Sequence, residues 1–132
     1  MLFRSQDFLA QHLCIKNVVL NVSGVLWRRS ALLQAMDRCG DALFDFKVAG
    51  DWFLYATAAA AGHPVAYVAT ALNGHRRHAT SVTHALAKQR HFDEIVRMQE
   101  FCADCASLST TVRTQVLGYR AEVADYLGIS ST

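Results

Sequence analysis

The sequence predicts a mixed, helix-rich α/β fold in a single domain, 1–132, with a small sheet of about two or three strands packed by helices and a helical hairpin at its C-terminal end. Two Val-rich runs bounded by turn residues have the composition of short strands. Apolar residues recur at helical spacing in the last third of the chain. With 52% hydrophobic residues, 18% charged residues and one proline, the composition is that of a folded domain.

The chain begins with a predicted helix and a predicted strand. Residues 5–14 form a short amphipathic pattern, whose apolar side consists of Phe8, Leu9 and Leu13. Residues 18–27 are rich in Val and Leu and predict a buried strand. Within this strand, Gly24 is expected to mark a bulge or a close approach of the backbone.

Two helices and a second strand are expected next. Ser30 is a good helix cap, and Gly40 ends the segment that it opens. The apolar side of that helix would carry Leu32, Leu33 and Met36. The following helix is expected to begin at Asp51 and to end at Gly62. Residues 65–72 then predict a strand.

The segment 85–132 is predicted to be a helical hairpin. Ser81 is a plausible cap for its first helix, with an apolar face of Val82, Leu86, Phe92, Ile95 and Val96. Ser109 or Thr110 can cap the second helix, which would end at Gly128. Its apolar stripe is Val112, Val116, Tyr119, Val123 and Tyr126. Such stripes are typical of a core or an oligomer interface.

Charge and hydropathy exclude several classes of function. Thirteen Lys and Arg residues against eleven Asp and Glu residues give a formal charge of +2, too weak for a general nucleic-acid footprint. The N-terminal residues do not form a secretory leader, and no run approaches the roughly 20 apolar residues of a membrane span. We therefore expect a cytoplasmic protein with no nucleic acid as partner. Its cysteines are expected to be reduced thiols.

The pair Cys102 and Cys105 has the spacing of half a zinc site or of a redox dithiol. No second pair follows it, and its surroundings are helical. We therefore expect the two thiols to pack on one face of a helix.

Asp51 is the first candidate for chemistry. A carboxylate at the start of a helix accepts backbone amides and needs no function to explain it. Gly50 before it frees the backbone, and Trp52 after it offers a flat face on which a sugar can stack. A carboxylate at the mouth of a pocket can also take the proton of an attacking hydroxyl.

A basic loop follows one predicted strand later, with His75, Arg76, Arg77 and His78 in succession. Arg can bind a phosphate through two parallel hydrogen bonds, and neutral His can ligate a metal. The same charges would also suit a surface turn that faces water. The pattern alone leaves both interpretations open.

Together these motifs carry a family resemblance. The segment 17–84 resembles the acceptor-side part of a bacterial, inverting nucleotide-sugar glycosyltransferase of family 2. The resemblance rests on Val48-Ala49-Gly50-Asp51-Trp52-Phe53-Leu54-Tyr55, Leu72-Asn73-Gly74-His75-Arg76-Arg77-His78 and Ser81-Val82-Thr83. It implies a partial GT-A-like domain that acts on a nucleoside-diphosphate sugar and a glycan or lipid-linked acceptor.

The resemblance also implies roles for individual residues. Asp51 would be the general base and Trp52 an acceptor platform. The donor diphosphate would be contacted by Arg76, Arg77 and Ser81. The metal, Mg or Mn in the parent enzyme, would be near His75 and His78.

The chain departs from the family at its donor side, because no Asp-x-Asp motif for the metal and diphosphate occurs in it. We therefore expect the donor-binding half to be missing, the isolated chain to have little or no transferase activity, and a metal not to be required by it. Apolar surfaces that would pack against the donor-binding half must then be buried against another chain or segment. This predicts a homo-oligomer, formed through residues 65–72 or through the helical hairpin.

Two other functions fit the sequence. The chain could be a catalytically silent helical interaction module, in which Asp51 is a helix cap and the basic loop is a turn. A small metal-binding protein using His75, His78 and His84 is the third possibility, although their spacing matches no strong zinc pattern.

Overall fold

Most of the described residues lie in helices arranged around one central helix. The computed structural model describes residues 1–74, 76 and 87–129. In chain order its elements are β1 (Leu2–Phe3), α1 (Ser5–Phe8), a π-helical turn (Leu9–Leu13), a 3-10 turn (Val22–Gly24), α2 (Arg29–Cys39), a 3-10 helix (Gly40–Asp45), α3 (Gly50–Ala60), β2 (Val65–Ala66), α4 (Lys88–Cys105) and α5 (Thr110–Leu127). The fold is thus helix-rich, with a small sheet. Within the described ranges, no helix is both long and apolar enough to cross a bilayer.

The central helix is α3. Most of its residues are buried, and they lie on several sides of the helix: Trp52, Phe53, Tyr55, Ala56, Thr57, Ala58 and Ala59. A helix that is apolar nearly all round must be covered on all sides. Helices α1, α2 and α4 and the π-helical turn provide this cover. The predicted helix and its end near Gly62, which has a positive φ of 96°, are confirmed, although the helix begins at Gly50.

The N-terminal helix supplies part of the same core. Helix α1 continues directly into the π-helical turn, so helical structure covers residues 5–13. Phe8, Leu9 and Leu13 are buried, as the amphipathic pattern predicts. The side chain of Phe3, from β1, packs against Phe8 with their ring centroids 5.5 Å apart.

Helix α2 forms, but it buries a different face from the predicted one. It begins at Arg29 without a side-chain cap, so Ser30 does not cap it. Its buried residues are Ala31, Ala35 and Cys39, whereas Leu33 and Met36 are exposed. The small side chains let α2 approach the alanines of α3, and the Cys39 thiol donates to Oγ1 of Thr57 at 3.3 Å.

Helices α4 and α5 pack against each other as the expected hairpin. The hydroxyl of Ser109 accepts the amide of Val112 at 3.2 Å, which confirms the predicted cap. Gln99, which is 1% exposed, donates through Nε2 to the carbonyls of Ile15 at 2.9 Å and Val116 at 3.4 Å. Its Oε1 accepts from Arg120 Nε at 3.0 Å. One buried carboxamide thus joins three parts of the chain, a role that the sequence did not reveal.

The apolar stripe of α5 is narrower than predicted. Val112 and Val116 are buried, but Tyr126 is 86% exposed. Ala124 and Leu127 are buried near the C-terminal end of the helix. The predicted cap of the first hairpin helix, Ser81, lies outside the described residues, which resume at 87.

The sheet has two short antiparallel strands in the described part of the chain. Leu2 pairs with Ala66, and Phe3 pairs with Val65. The ladder is extended by hydrogen bonds between the backbones of Met1 and Tyr67, at 2.8 and 2.9 Å. Of the strand predicted over residues 65–72, only the first two residues are in strand conformation.

The prediction of a buried strand over residues 18–27 is wrong. This segment has irregular backbone apart from the turn Val22–Gly24. Leu20 and Leu26 are 90% and 99% exposed. A run with high strand propensity becomes a strand only where a neighbouring strand can satisfy its backbone groups, and none pairs with it among the described residues.

Candidate functional site around Asp51

Asp51 lies in the first turn of α3. Its Oδ1 atom accepts a hydrogen bond from the backbone amide of Trp52 at 2.7 Å and a longer one from Nδ2 of Asn17 at 3.4 Å. Asn17 is held in turn because its Oδ1 accepts the amide of Val19 at 3.1 Å. The carboxylate is therefore joined to the segment that follows the N-terminal helix.

The carboxyl group of Asp51 is partly withdrawn from water. Burial raises its pKa above the ordinary value, and hydrogen bonds from the Trp52 amide, from Asn17 and from its own amide offset only part of this rise. A carboxylate with a raised pKa binds a proton more firmly than a solvated one. This property suits a group that takes a proton from an alcohol.

The backbone before α3 is capped by Glu94 of α4 and not by Asp51. Ala49 occupies the cap position and has no side-chain acceptor. The Oε1 atom of Glu94 accepts the amide of Lys47 at 2.7 Å, and Oε2 accepts the amides of Val48 and Ala49 at 2.8 and 2.9 Å. The sequence suggested that Asp51 could cap α3, but Glu94 of α4 accepts these backbone amides instead.

Glu94 is buried, at 6% exposure, yet it is held as an anion. Burial acts to raise its pKa, but the three backbone amides and the nearby Arg90 outweigh burial and lower it below the ordinary value. The Arg90 Nε atom lies 3.6 Å from Oε1. Sequence reasoning missed this residue, although an acidic residue beside Ile95 on an apolar helical face was a usable signal.

Trp52 is a core residue in this structure. Its side chain is 3% exposed, and its indole Nε1 donates to the carbonyl of Leu13 at 2.9 Å. A ring in this position presents no face to a sugar, so the structure does not place Trp52 as an acceptor platform. It fixes α3 to the N-terminal helix and so positions the neighbouring Asp51.

An aromatic pair lies close to the same carboxylate. The rings of Trp27 and Tyr55 are stacked, with centroids 5.9 Å apart and an angle of 20° between the planes. Burial, and secondly the charge of Asp51, raise the pKa of Tyr55 to about 12. The Tyr55 hydroxyl is buried and has no hydrogen-bond partner among the described residues. Trp27 is half-buried and is thus the more accessible of these aromatic side chains.

The start of the basic loop contacts the turn Val22–Gly24. Nδ2 of Asn73 donates to Oδ1 of Asn21 at 3.1 Å and to Oγ of Ser23 at 3.3 Å. Ser23 also donates to Asn21 at 2.8 Å. A Cβ atom at Gly24 would lie 3.3 Å from the side chains of both Asn21 and Asn73. Gly24 therefore lies close to two side chains in a turn, and the bulge or close backbone approach predicted within a strand is not seen.

The basic loop itself is described only at Arg76, whose side chain is exposed. The other predicted diphosphate and metal contacts lie outside the described residues: His75, Arg77, His78 and Ser81. His84 also lies outside them. Within the described ranges, no group of three or more His, Cys, Asp or Glu side chains could hold a metal ion.

Cys102 and Cys105 lie one turn apart on α4 and pack on one face, as predicted: Cys102 is in the core, and Cys105 packs against it. Cys102 is fully buried, whereas Cys105 is only half-buried. All four cysteines are free thiols, as expected.

Comparisons of the chain with protein-family models, with curated proteins and with solved structures give no match.

Proposed function

We propose that this chain is the acceptor-side portion of an inverting, GT-A-like glycosyltransferase of family 2. The observation that carries the proposal is that one segment, residues 17–24, contacts both motifs of the resemblance. Asn17 bonds to Asp51, and Asn21 bonds to Asn73 at the start of the basic loop. Two motifs separated in the sequence therefore approach a common segment.

In this proposal Asp51 is the general base. Transfer with inversion needs a group that removes the proton from the acceptor hydroxyl while its oxygen attacks the sugar carbon. The raised pKa of Asp51 supports this assignment because the carboxylate accepts a proton more readily than a solvated one. The capping of α3 by Glu94 supports it further, since the fold does not depend on Asp51 to satisfy the backbone before the helix.

Donor binding is proposed for the basic loop. Arg76, with Arg77 and Ser81, would bind the diphosphate of a nucleoside-diphosphate sugar. His75 and His78 would hold Mg or Mn, which when bound neutralises charge on the leaving diphosphate. The exposed side chain of Arg76 is free to meet such a ligand without rearrangement of the core.

The exposed apolar side chains support a further domain or chain beside this one. Leu20 and Leu26 are almost fully exposed, and Leu72 is 79% exposed. These three residues belong to the two segments that meet at Asn21 and Asn73. We propose that a donor-binding half or a second copy of the chain covers this surface, and that the isolated chain has little transferase activity.

A silent interaction module is the second candidate. It is favoured by the hydrogen bond from the Trp52 amide to Asp51, which gives this carboxylate a local structural role. Exposed Leu117 and Tyr126 on α5 are suitable for contact with another helix. In this case the basic loop would bind no diphosphate.

Titration of the purified chain with nucleoside diphosphates in the presence of Mn, followed by calorimetry, tests the proposal. We expect saturable binding that is weakened at least tenfold by Arg76→Ala. Arg38→Ala is the matched control, because Arg38 is an exposed arginine in the last turn of α2 and its loss changes the net charge equally. Asp51→Asn should leave diphosphate binding unchanged, since a base for the acceptor does not contact the donor.

Absence of binding by a folded chain would contradict diphosphate recognition by this portion. Equal weakening by Arg76→Ala and Arg38→Ala would show non-specific attraction between charges. Either result would favour the interaction module.

A further inference from the structure

The two tryptophans of the chain differ in how far their rings are open to solvent. Trp52 is 3% exposed and its indole is bonded to Leu13, so it offers no surface to a ligand. Trp27 is half-buried. One face of its ring stacks on Tyr55, with the centroids 5.9 Å apart and the planes at 20°. The exposed part of the Trp27 ring therefore belongs to its other face and its edges.

The backbone around Trp27 explains this position. Residues 25–28 alternate between half-buried and exposed, as successive side chains of an extended chain do, and the backbone is extended at both ends of this stretch. Val25 and Trp27 pack against the hydrophobic core, whereas Leu26 is 99% exposed. Because the core and Tyr55 already hold the Trp27 ring in place, a ligand that stacks on it does not have to order it.

The segment that carries Trp27 meets α3 twice. Asn17 bonds to Asp51, and further along the segment Trp27 stacks on Tyr55. Asp51 and Tyr55 are four positions apart on α3, so they are neighbours on one face of the helix. Helical side chains tilt towards the N-terminus of their helix, so that of Tyr55 leans towards Asp51. Trp27, Tyr55 and Asp51 therefore lie side by side at one place on the surface.

Polar atoms accompany the aromatic pair. The hydrogen bonds that Asp51 accepts from Trp52 and Asn17 both go to Oδ1, and Oδ2 accepts neither of them. The buried Tyr55 hydroxyl has no hydrogen-bond partner among the described residues. An apolar surface beside a few polar groups is the usual composition of a site for a small molecule.

We propose that the ring of Trp27, and not that of Trp52, is the platform on which the acceptor sugar stacks, with one hydroxyl of that sugar beside Asp51. This inference rests on the proposed function and extends it to the class of acceptor. The ligand is a pyranose with a face of C–H groups, as in glucosides and galactosides. The face of an aromatic ring is partly negative and attracts such weakly positive C–H groups. The hydroxyls of the sugar then point past the edge of the indole, where Oδ2 of Asp51 accepts one of them.

Other exposed aromatic side chains are less suitable as a platform. Phe44, Tyr67 and Tyr126 are 76%, 60% and 86% exposed. In the described part of the chain none of these three rings contacts another aromatic ring, so none is held in place as Trp27 is. They offer a matched control, since non-specific stacking of a sugar would also occur on them.

Titration of the isotope-labelled chain with methyl β-D-glucopyranoside and methyl β-D-galactopyranoside, followed by NMR, tests the proposal. The two tryptophans give two indole N–H signals. The Trp52 N–H is buried and bonded, so slow exchange with heavy water identifies its signal. We expect a saturable shift of the Trp27 signal and none of the Trp52 signal, with a Kd of about 1 mM or weaker for a ligand of this size. The titration extends to about 100 mM, and glycerol is the control for solvent effects.

Variants separate stacking on Trp27 from non-specific contact. Trp27→Leu removes the ring and should weaken binding about tenfold or more. Trp27→Tyr keeps a smaller ring and should restore part of the affinity. Tyr126→Leu is the matched control and should leave the affinity unchanged. In the wild type, the carboxyl carbon signal of Asp51 should shift over the same range of sugar concentration as the Trp27 signal.

Two results would overturn the proposal. One is the absence of a saturable Trp27 shift with both glycosides in a folded chain. The other is a Trp27 shift that saturates while the Asp51 signal stays unmoved, since the sugar would then lie away from the base. The wild-type titration decides both, so the test does not depend on whether the variants fold.

Failure of this inference is distinguishable from failure of the proposed function, because the sugar titration contains no nucleotide. Diphosphate binding without sugar binding would contradict only the role of Trp27. Sugar binding without diphosphate binding would contradict only donor recognition by the basic loop.

Discussion

Replacement of Glu94 by Ala should strongly destabilise this protein. The Glu94 carboxylate accepts three backbone amides at 2.7–2.9 Å from a buried position. Hydrogen bonds to a charged group contribute about 1.5–3 kcal/mol each, or about 4.5–9 kcal/mol if they were additive. Water will reach some of the freed amides, so we expect the free energy of unfolding to fall by about 3–5 kcal/mol. The total free energy of unfolding of a natural domain is about 5–15 kcal/mol.

Urea unfolding followed by circular dichroism at neutral pH measures this loss. Glu100→Ala is the matched control, because Glu100 is exposed on the same helix, and its loss should change the free energy of unfolding by about 0.5 kcal/mol at most. The free energy of unfolding of Glu94→Gln should lie between those of wild type and Glu94→Ala. The glutamine keeps one oxygen acceptor but turns an NH₂ group towards backbone donors. A loss below about 1 kcal/mol in Glu94→Ala, with an unchanged dependence on urea, would refute the reasoning.

The pH dependence supplies a second readout for Glu94. Its pKa is lower in the folded chain than in the unfolded chain, where it is about 4.3. The folded state therefore binds the Glu94 proton less tightly, and the stabilisation is complete above the unfolded pKa. It is lost as the pH falls through the folded pKa. In Glu94→Gln this contribution to acid unfolding should be absent.

Three further predictions concern other parts of the structure. Gln99→Ala should lower the free energy of unfolding by about 2–4 kcal/mol, because two carbonyls and a guanidinium lose their hydrogen bonds to Gln99. A thermal scan measures this loss. In the same scan the control Gln115→Ala, at an exposed position, should have little effect. Asp51→Asn should change this free energy by less than about 1 kcal/mol at neutral pH; a larger loss would show that Asp51 is structural. Sedimentation should show self-association that Leu26→Glu and Leu72→Glu weaken, and a monomeric wild type at every concentration would contradict it.

The C-terminal ends of α3 and α5 and the Ser109 cap of α5 could be predicted from the sequence alone. Gly62 and Gly128 follow α3 and α5 with φ values of 96° and 69°, which glycine adopts at little cost. The Ser109 hydroxyl caps α5 by accepting a hydrogen bond from the amide of Val112, three positions later in the sequence. Signals of this kind act over one helical turn, so they can be recognised in the sequence without knowledge of the tertiary structure.

Interactions between distant segments could not be recognised in the same way. Whether residues 18–27 form a strand depends on a neighbouring strand, and their own composition does not supply one. The cap of α3 comes from Glu94, which is 45 positions beyond Ala49. The buried face of α2 likewise follows from the small side chains that α3 can accommodate and not from the largest apolar residues of α2.

The candidate site was predictable only in part for the same reason. The motif order indicated Asp51, and the structure joins it to Asn17, a residue that no motif had marked. The flat ring next to Asp51 in sequence indicated a sugar platform, but the rotation of about 100° per residue along a helix turns Trp52 into the core. A local motif identifies the residue types at a site, whereas only the packing decides which side chains face a ligand.

The two carboxylates near the start of α3 differ in a way that bears on function. Glu94 is surrounded by donors, and its pKa is lowered, so ionisation of this group stabilises the fold. Asp51 is partly buried with fewer donors, and its pKa is raised, so its ionisation costs stability as the pH rises through the folded pKa. The amides before α3 bond to Glu94 and not to Asp51, whose Oδ1 accepts only from Trp52 and Asn17, and burial disfavours its charge. This contrast supports the proposal that Asp51 transfers a proton, whereas Glu94 stabilises the fold.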